Sequence, residues 1–248
     1  MIFFFLILYT NLCFANDNLK LLSDSAISLY KNKKYDKALE LFLKIYENGF
    51  VSANLLYNIG NTYFRLNNLG KAILFYERAK RLNPNDNDII YNLNFANALI
   101  IDKIEKTSRP FYEEWFKVLA QFFSSNTWIL FSIFSFIILL TFIYIFLISY
   151  NYILNLLSKI LISISILVFI ISLSSSYYMF KQCTRKDEAI IIPGKVDVFS
   201  SPDMNSTILF ELHEGTKVLI INKYENWYEI KIPDGNTGWI ISENVEII

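Results

Sequence analysis

The sequence predicts a multi-domain membrane protein: an all-α repeat solenoid, a transmembrane helical hairpin and a small all-β barrel. Three observations predict it. A repeat with an offset of 34 residues runs through the N-terminal part, and Val118 to Phe180 contains a single charged residue, Lys159. From residue 187 onward the apolar pattern changes from helical to strand-like spacing. The charges balance, with 23 Lys and Arg against 23 Asp and Glu. No basic patch large enough for nucleic acid is implied.

Taken in order, the chain opens with an apolar run, Ile2–Tyr9, too short to span a bilayer. Cys13-Phe14-Ala15 places small residues at the −3 and −1 positions of a cleavage site after Ala15. Residues 1–15 therefore read as a secretory signal peptide, although no Lys or Arg precedes the run. Two rival readings stand beside it. One is a lipoprotein signal with Cys13 lipidated, against which Leu12 occupies a position that wants a small residue. The other is an uncleaved, short third span.

Residues 17–104 form the helical repeat domain. With the offset applied, Leu29 falls on Tyr63, Lys37 on Lys71, Ala38 on Ala72 and Phe42 on Tyr76. The second copy, LLYNIGNTYFRLNNLGKAILFYERAKRLNPN, resembles a tetratricopeptide repeat (TPR). Leu56, Ile59, Gly60, Tyr63, Ala72, Tyr76, Ala79 and Pro84 sit at its signature positions. Gly60 and Ala72 are small where two helices must approach, and Pro84 ends the second helix. The first copy, about 19–50, keeps KNKKYDKALELF but carries Ala26, Ile45 and Phe50 at signature positions. A last helix, Asp88–Ile104, reads as the first half of a third repeat. Solenoids of this kind need about three repeats. The last helix must then act as a cap, or the domain leans on another part of the chain or on a partner. The resemblance places Tyr57, Asn61, Phe64, Arg65, Tyr91 and Phe95 on a concave, protein-binding face. Half-buried packing is the alternative role for the tyrosines. Ile27 stands where a carboxylate-clamp asparagine would be.

After the break at Thr107-Ser108-Arg109-Pro110, residues 105–127 read as an amphipathic interfacial segment. Phe111, Trp115, Val118, Leu119 and Phe122 recur at helical spacing, with Glu113, Glu114, Lys117 and Gln121 mostly opposite. Trp115 and Trp128 are expected near headgroup depth. An ordinary helix packed on the repeats is the alternative. Spans follow at 128–149 and 160–180, each near the ~20 residues that cross a bilayer, joined by a 150–159 loop.

Residues 187–248 predict a small barrel from the runs Lys217–Asn222, Trp227–Ile232 and Thr237–Ile241, with an Asp234-Gly235 turn. The stretch LHEGTKVLIINKYENWYEIKIPDGNTGWI resembles the bacterial SH3-like family at Gly215, Val218, Trp227, Gly235, Gly238 and Trp239. Phe199 stands where that family commonly has Arg, and Ser201 where it has Gly. Trp227 and Trp239 are expected as core and barrel-edge packing.

No catalytic set is legible. His213 is the one histidine, and Cys13 and Cys183 are the two cysteines. Neither a Cys–His nucleophile pair, a zinc spacing nor a phosphate-cradling glycine loop is formed by sequence pattern, so no enzyme activity and no cofactor is expected. The order of parts resembles the BatE proteins of the aerotolerance (Bat) operons. That resemblance implies a non-catalytic inner-membrane scaffold assembled with von Willebrand A-domain membrane proteins and a MoxR-type ATPase. The SH3-like part raises a second reading, binding or sensing of peptidoglycan. A signal peptide with two spans predicts both soluble domains in the periplasm. The positive-residue count of Lys117, Lys181, Arg185 and Lys186 against Lys159 in the loop favours the reverse.

Overall fold

The computed structural model describes residues 19–104 and 111–248, without the side chains of 112–114 and 183. The signal-peptide region and the break at 107–110 lie outside the described residues. The chain divides into two compact units. One joins the helical repeats to the C-terminal sheet; the other holds the apolar hairpin.

The first unit begins with α1 (19–31), α2 (Tyr35–Glu47), α3 (Ala53–Arg65), α4 (Leu69–Leu82) and α5 (Asn87–Leu99). The helix starts are capped by short polar side chains. Ser52 Oγ accepts from the Leu55 N–H, Asn68 Oδ1 from Lys71, and Asp86 Oδ1 from Asp88 and Ile89. Between α3 and α4 the repeat signature closes as expected. A methyl on Gly60 would lie 2.7 Å from the Tyr76 ring and 3.2 Å from the Ala72 carbonyl, so only a hydrogen fits there. Tyr63 stacks on Phe75 at 5.5 Å.

The last repeat helix is shorter than Asp88–Ile104. It stops at Leu99, and Ile100 turns into extended backbone. The cause is a tertiary bond set. Asp102 accepts from the His213 N–H and the Thr216 hydroxyl, and meets the His213 ring at Nδ1. Pulling Asp102 onto the sheet ends the helix.

The sheet is seven-stranded and antiparallel: β1 (Glu188–Ile191), β2 (Lys195–Phe199), β3 (Ile208–His213), β4 (Lys217–Tyr224), β5 (Trp227–Lys231), β6 (Thr237–Ile241) and β7 (Val245–Ile247). Its order is β3-β2-β6-β5-β4-β1-β7. The β4, β5 and β6 strands fall where the sequence places them. Val196, Val198, Leu212, Val218, Ile230, Ile240 and Val245 meet in one core. Strands from both sheet edges feed that core, so the sheet must curl around it. Register shifts at Val198/Phe199 and Ile220/Asn222 supply local bends.

The sheet and the repeats share a second core. Ile190 and Ile248 are buried with Ile59, Ile73 and Tyr76, and Ile192 packs against the same cluster. The Glu214-Gly215 turn inserts against α4. Gly215 has φ +86°, and a Cβ there would lie 2.7 Å from Ile73 Cδ1. Around this apolar contact runs a polar ring. Arg81 pairs with Glu188 at 3.0 Å, Lys217 bridges Glu188 (2.9 Å) and Glu77 (3.2 Å), and Lys71 pairs with Glu246. The Gly70 N–H donates to Glu214, and Arg78 and Arg81 donate to the Ile247 and Ile248 carbonyls. The two and a half repeats are thus completed by the barrel, in the place a further helix would take.

The second unit consists of α6 (Phe111–Gln121), α7 (Ser125–Ile148) and α8 (Tyr152–Thr184). The latter two are long and apolar enough to cross a membrane. The turn between them is Ser149–Asn151, shorter than the 150–159 loop expected. Asn151 Oδ1 accepts from Ile153 and Leu154 and starts α8 at once. With 33 residues, α8 reaches about 50 Å and outruns the apolar core of a bilayer. The hairpin is inside out by soluble standards. Ser132, Ser135, Ser158, Ser165, Ser172 and Ser175 are buried between the helices, while Phe134, Leu147 and Leu167 point away, each more than half exposed. Small residues at a seven-residue spacing let the backbones approach, as in helix pairs packed within lipid. Ser125 and Ser176 exchange hydrogen bonds across the open end.

Gly215→Val tests the docking of sheet on repeats. A β-branched residue at that φ, pressed on Ile73, is expected to cost about 1–3 kcal/mol. The check is a lowered melting temperature of the full chain in micelles, with faster amide exchange in both α4 and β1. Faster exchange in β1 alone would mean that the repeats do not depend on the sheet.

Candidate functional site

The face built by α1, α3 and α5 carries all six residues singled out from sequence. Its framework is a set of polar side chains that satisfy one another. The Tyr76 hydroxyl donates to Asn61 Oδ1 at 2.8 Å, and the Asn92 amide donates to Asn61 Oδ1 at 3.0 Å and to the Tyr57 hydroxyl at 2.7 Å. Burial pushes the Tyr76 hydroxyl well up. Burial also raises Tyr57, with the Asn61 amide opposing it. Both stay protonated at neutral pH, so each keeps a proton to donate.

Two further contacts tie the helices together. Phe64 and Phe95 meet edge to face at 5.8 Å, and Arg65 Nε approaches the Tyr30 hydroxyl at 3.5 Å. That hydroxyl holds the guanidinium above its usual range. Arg65 is exposed, Tyr91 is 70% exposed and Phe95 51%. Tyr91 stands one turn before Phe95 and so shares its side of α5. The structure therefore sorts the six. Tyr57 and Asn61 are framework, Phe64 joins two helices, and Arg65, Tyr91 and Phe95 are exposed.

Asn92 was missed in the sequence reading, although it holds the framework together. The 34-residue offset sets Asn58 on Asn92, and that match was the available signal. Toward the first repeat the face deepens into a cleft of about 750 Å³ lined by Lys20, Ser23, Ile27, Asn54, Tyr57 and Asn58 among others. Amide groups and apolar side chains there suit an extended or helical peptide, which offers both.

On the sheet, Trp227 and Trp239 are not core residues. They alternate with buried Ile230 and Ile240 and stand half-buried on the outer side. Phe199, in the family's arginine position, lies opposite Trp239 across the β2–β6 ladder. Its ring meets Trp227 edge to face at 5.5 Å. The three rings form one aromatic row. His213 is engaged by Asp102, and among the described residues no group of three or more His, Cys, Asp or Glu could hold a metal ion.

Comparison with known proteins agrees with this geometry. A bacterial SH3 domain model matches residues 194–246, and a tetratricopeptide repeat model matches residues 53–86. No curated protein matches the chain. The repeat match covers α3 and α4, the pair closed at Gly60; the SH3 match covers the sheet from just before β2 into β7.

Asp102 yields a pH prediction. Burial pushes its carboxyl up, but the bonds from Thr216 and from the backbone and ring of His213 outweigh burial and hold it below the usual carboxylate value. A depressed folded value means stability present above the unfolded value, about 3.9, and lost as pH falls through the folded one. Asp102→Ala leaves three donors without their acceptor, at about 1–3 kcal/mol near neutrality. The gap between wild type and variant should hold down to about pH 4 and close below it, measured by thermal unfolding across that range. A gap that does not change with pH would show that the carboxylate charge is not what the clasp uses.

Proposed function

We propose that the protein is a non-catalytic, membrane-anchored adaptor whose α1/α3/α5 face grips a segment of another membrane protein. The observation that carries this reading is the trio Arg65, Tyr91 and Phe95, exposed above a framework whose polar groups are already satisfied. Tyr and Arg are enriched among the residues that dominate interface energy. The barrel sits against α4, on the other layer of the repeats, and leaves the face open.

In this reading α7 and α8 cross the bacterial inner membrane, and the repeats and barrel lie in the periplasm. The N-terminal apolar run and two spanning-length helices support that placement. The order of parts supports a finer proposal: the complex is of the Bat type, with von Willebrand A-domain proteins and a MoxR-type ATPase as partners, serving aerotolerance or envelope stress. A second reading has a specific observation behind it. The Phe199, Trp227 and Trp239 row faces outward on an SH3 domain of a class often used for cell-wall binding, so peptidoglycan is the alternative ligand.

Arg65→Ala with Tyr91→Ala is expected to abolish co-purification of membrane partners while circular dichroism of the full chain stays unchanged. Truncating such anchors often costs about 2 kcal/mol or more each. Partners retained by this variant but lost with Phe199→Ala and Trp227→Ala would move the contact to the barrel. Sedimentation of the full chain with purified sacculi, lost in the same barrel variant, would favour the wall-binding reading.

Topology has its own test. A phosphatase fused at Ile248 should be active and one fused after Asn151 inactive. Activity at 151 with none at 248 would reverse the orientation.

A further inference from the structure

We propose that α6 is a lipid-binding helix lying in the bilayer surface, held there by the hairpin. This rests on the reading of α7 and α8 as membrane spans. The sequence alone left two choices for the segment, interfacial or packed on the repeats, and its side chains now show which face is occupied.

One side of α6 is taken. Ala120 is fully buried and packs with Trp128 and Met179; Phe116 meets Tyr178 edge to face at 5.7 Å. The Trp128 indole N–H donates to the Ala120 carbonyl at 2.8 Å, which fixes the end of α6 to the start of α7. Trp128 is thus a buried bracket, and Trp115 alone of the two faces outward.

The other side carries large exposed apolar residues. Phe111 is 85% exposed, Trp115 68%, Val118 56% and Phe122 65%. At 100° per residue these four fall within a sector of about 60°, some 150° from Phe116 and Ala120. A stripe of three aromatic rings and a valine is unfavourable in water, at roughly 25 cal/mol for each Å² exposed.

Two observations select lipid as the occupant. First, the contacts that Phe116 and Ala120 of α6 make lie at one end of the hairpin. Trp128 is in the first turn of α7 and Tyr178 and Met179 are in the last turns of α8, at the end away from Ser149–Asn151. That end is where the apolar spans give way to polar residues, which is the level of the headgroups. Second, the stripe is continuous with the apolar outer surface of the hairpin. Beyond Phe122, Phe123 touches Phe131 of α7 at 5.2 Å, and the outward Leu130 and Phe134 carry the surface onward. Whatever solvates α7 on that side also meets α6. Trp and Phe rings suit this depth, with apolar faces toward the acyl chains.

The test uses the full chain with Cys13→Ser and Cys183→Ser, reconstituted in phosphatidylethanolamine–phosphatidylglycerol vesicles. A fluorophore is placed at Val118→Cys, with Phe134→Cys as the span control and Glu225→Cys, on an exposed turn of the barrel, as the water control. Lipids carrying a nitroxide on the headgroup or the upper acyl chain should quench most of the emission at 118, and iodide should quench little of it. Quenching at 134 by a deep-chain nitroxide reports the spans independently. Strong iodide quenching at 118, with 134 lipid-quenched, overturns the proposal and leaves the spans standing. A label at 118 shielded from both quenchers points to a protein on the stripe and also overturns it. No lipid quenching at either site would remove the spans and the proposal together.

Discussion

The architecture of the first unit depends on one contact, the burial of the barrel's β1 strand and Ile248 against α4. Two and a half repeats leave the outer side of α4 and the end of α5 without the helix that a longer array would provide. Ile190, Ile192 and Ile248 fill that gap, and Gly215 allows the turn between β3 and β4 to press onto Ile73 and Ile100. The apolar part supplies the driving force, since removal of surface from water is the dominant favourable term in association. The ring of Arg81, Glu188, Lys217, Glu77, Lys71 and Glu246 is partly exposed, so each pair adds little stability. Its contribution is orientation: alternating signs on both surfaces accept one register of sheet on helix and penalise others.

How far the sequence reached divides along the same line. Patterns that repeat within the chain were legible. The 34-residue offset located α1 to α5, Gly60 pointed to a close approach, and the switch to alternating residues located β4 to β6. Glycines marked the turns of the barrel because a left-handed backbone leaves a compositional trace. The strands β1 to β3 were less visible, since Glu188–Ile191 is short and Lys195–Phe199 departs from its family at Phe199. The clasp of Asp102 on His213 and Thr216 was not legible at all. An aspartate more than a hundred residues from its partners has no periodicity, and its effect, ending α5 at Leu99, looks in the sequence like ordinary helix continuing to Ile104. Among the candidate ligand residues, the type of face was readable, but the division of labour was not. Tyr57 and Tyr91 occupy equivalent positions in successive repeats, yet one is tied into the framework and the other stands free. Which of them Asn92 bonds is decided by the packing of α5 on α3.

The hairpin follows a different rule from the first unit. In the repeats and barrel, large apolar residues are inside and the hydroxyl groups that are buried are few. In α7 and α8 most of the serines are inside and most of the large apolar residues outside. With α7 and α8 read as membrane spans, the inversion has a simple origin: lipid is as apolar as leucine, so burying leucine between two spans gains nothing from desolvation. What does gain is close backbone approach, which small side chains permit, and hydrogen bonds that leave no hydroxyl facing hydrocarbon. Ser132, Ser135 and Ser158 each donate to a carbonyl of their own helix, which satisfies those three hydroxyls, while the buried Ser175 hydroxyl finds no partner among the described residues. Phe, Leu and Ile then do the work of solvation on the outside. A count of apolar residues finds both kinds of segment; only the burial pattern separates them.

Fusing the repeats and the barrel into one body changes what an adaptor built this way can do. Two modules on a flexible linker search independently, and the gain from holding both ligands is set by the linker's reach. Here the α1/α3/α5 face and the Phe199–Trp227–Trp239 row are carried on one compact unit, joined by a continuous core running from Ile59 through Ile73 to Ile190. Less ordering entropy is then lost between the two surfaces than with a flexible linker when both are occupied. The cost is geometric: only a pair of ligand sites at the matching separation and angle can be bridged. Such a frame discriminates between assemblies by their shape. On the adaptor reading proposed above, a protein with modest surface chemistry gains selectivity in this way, from the arrangement of two surfaces and not from the detail of either one.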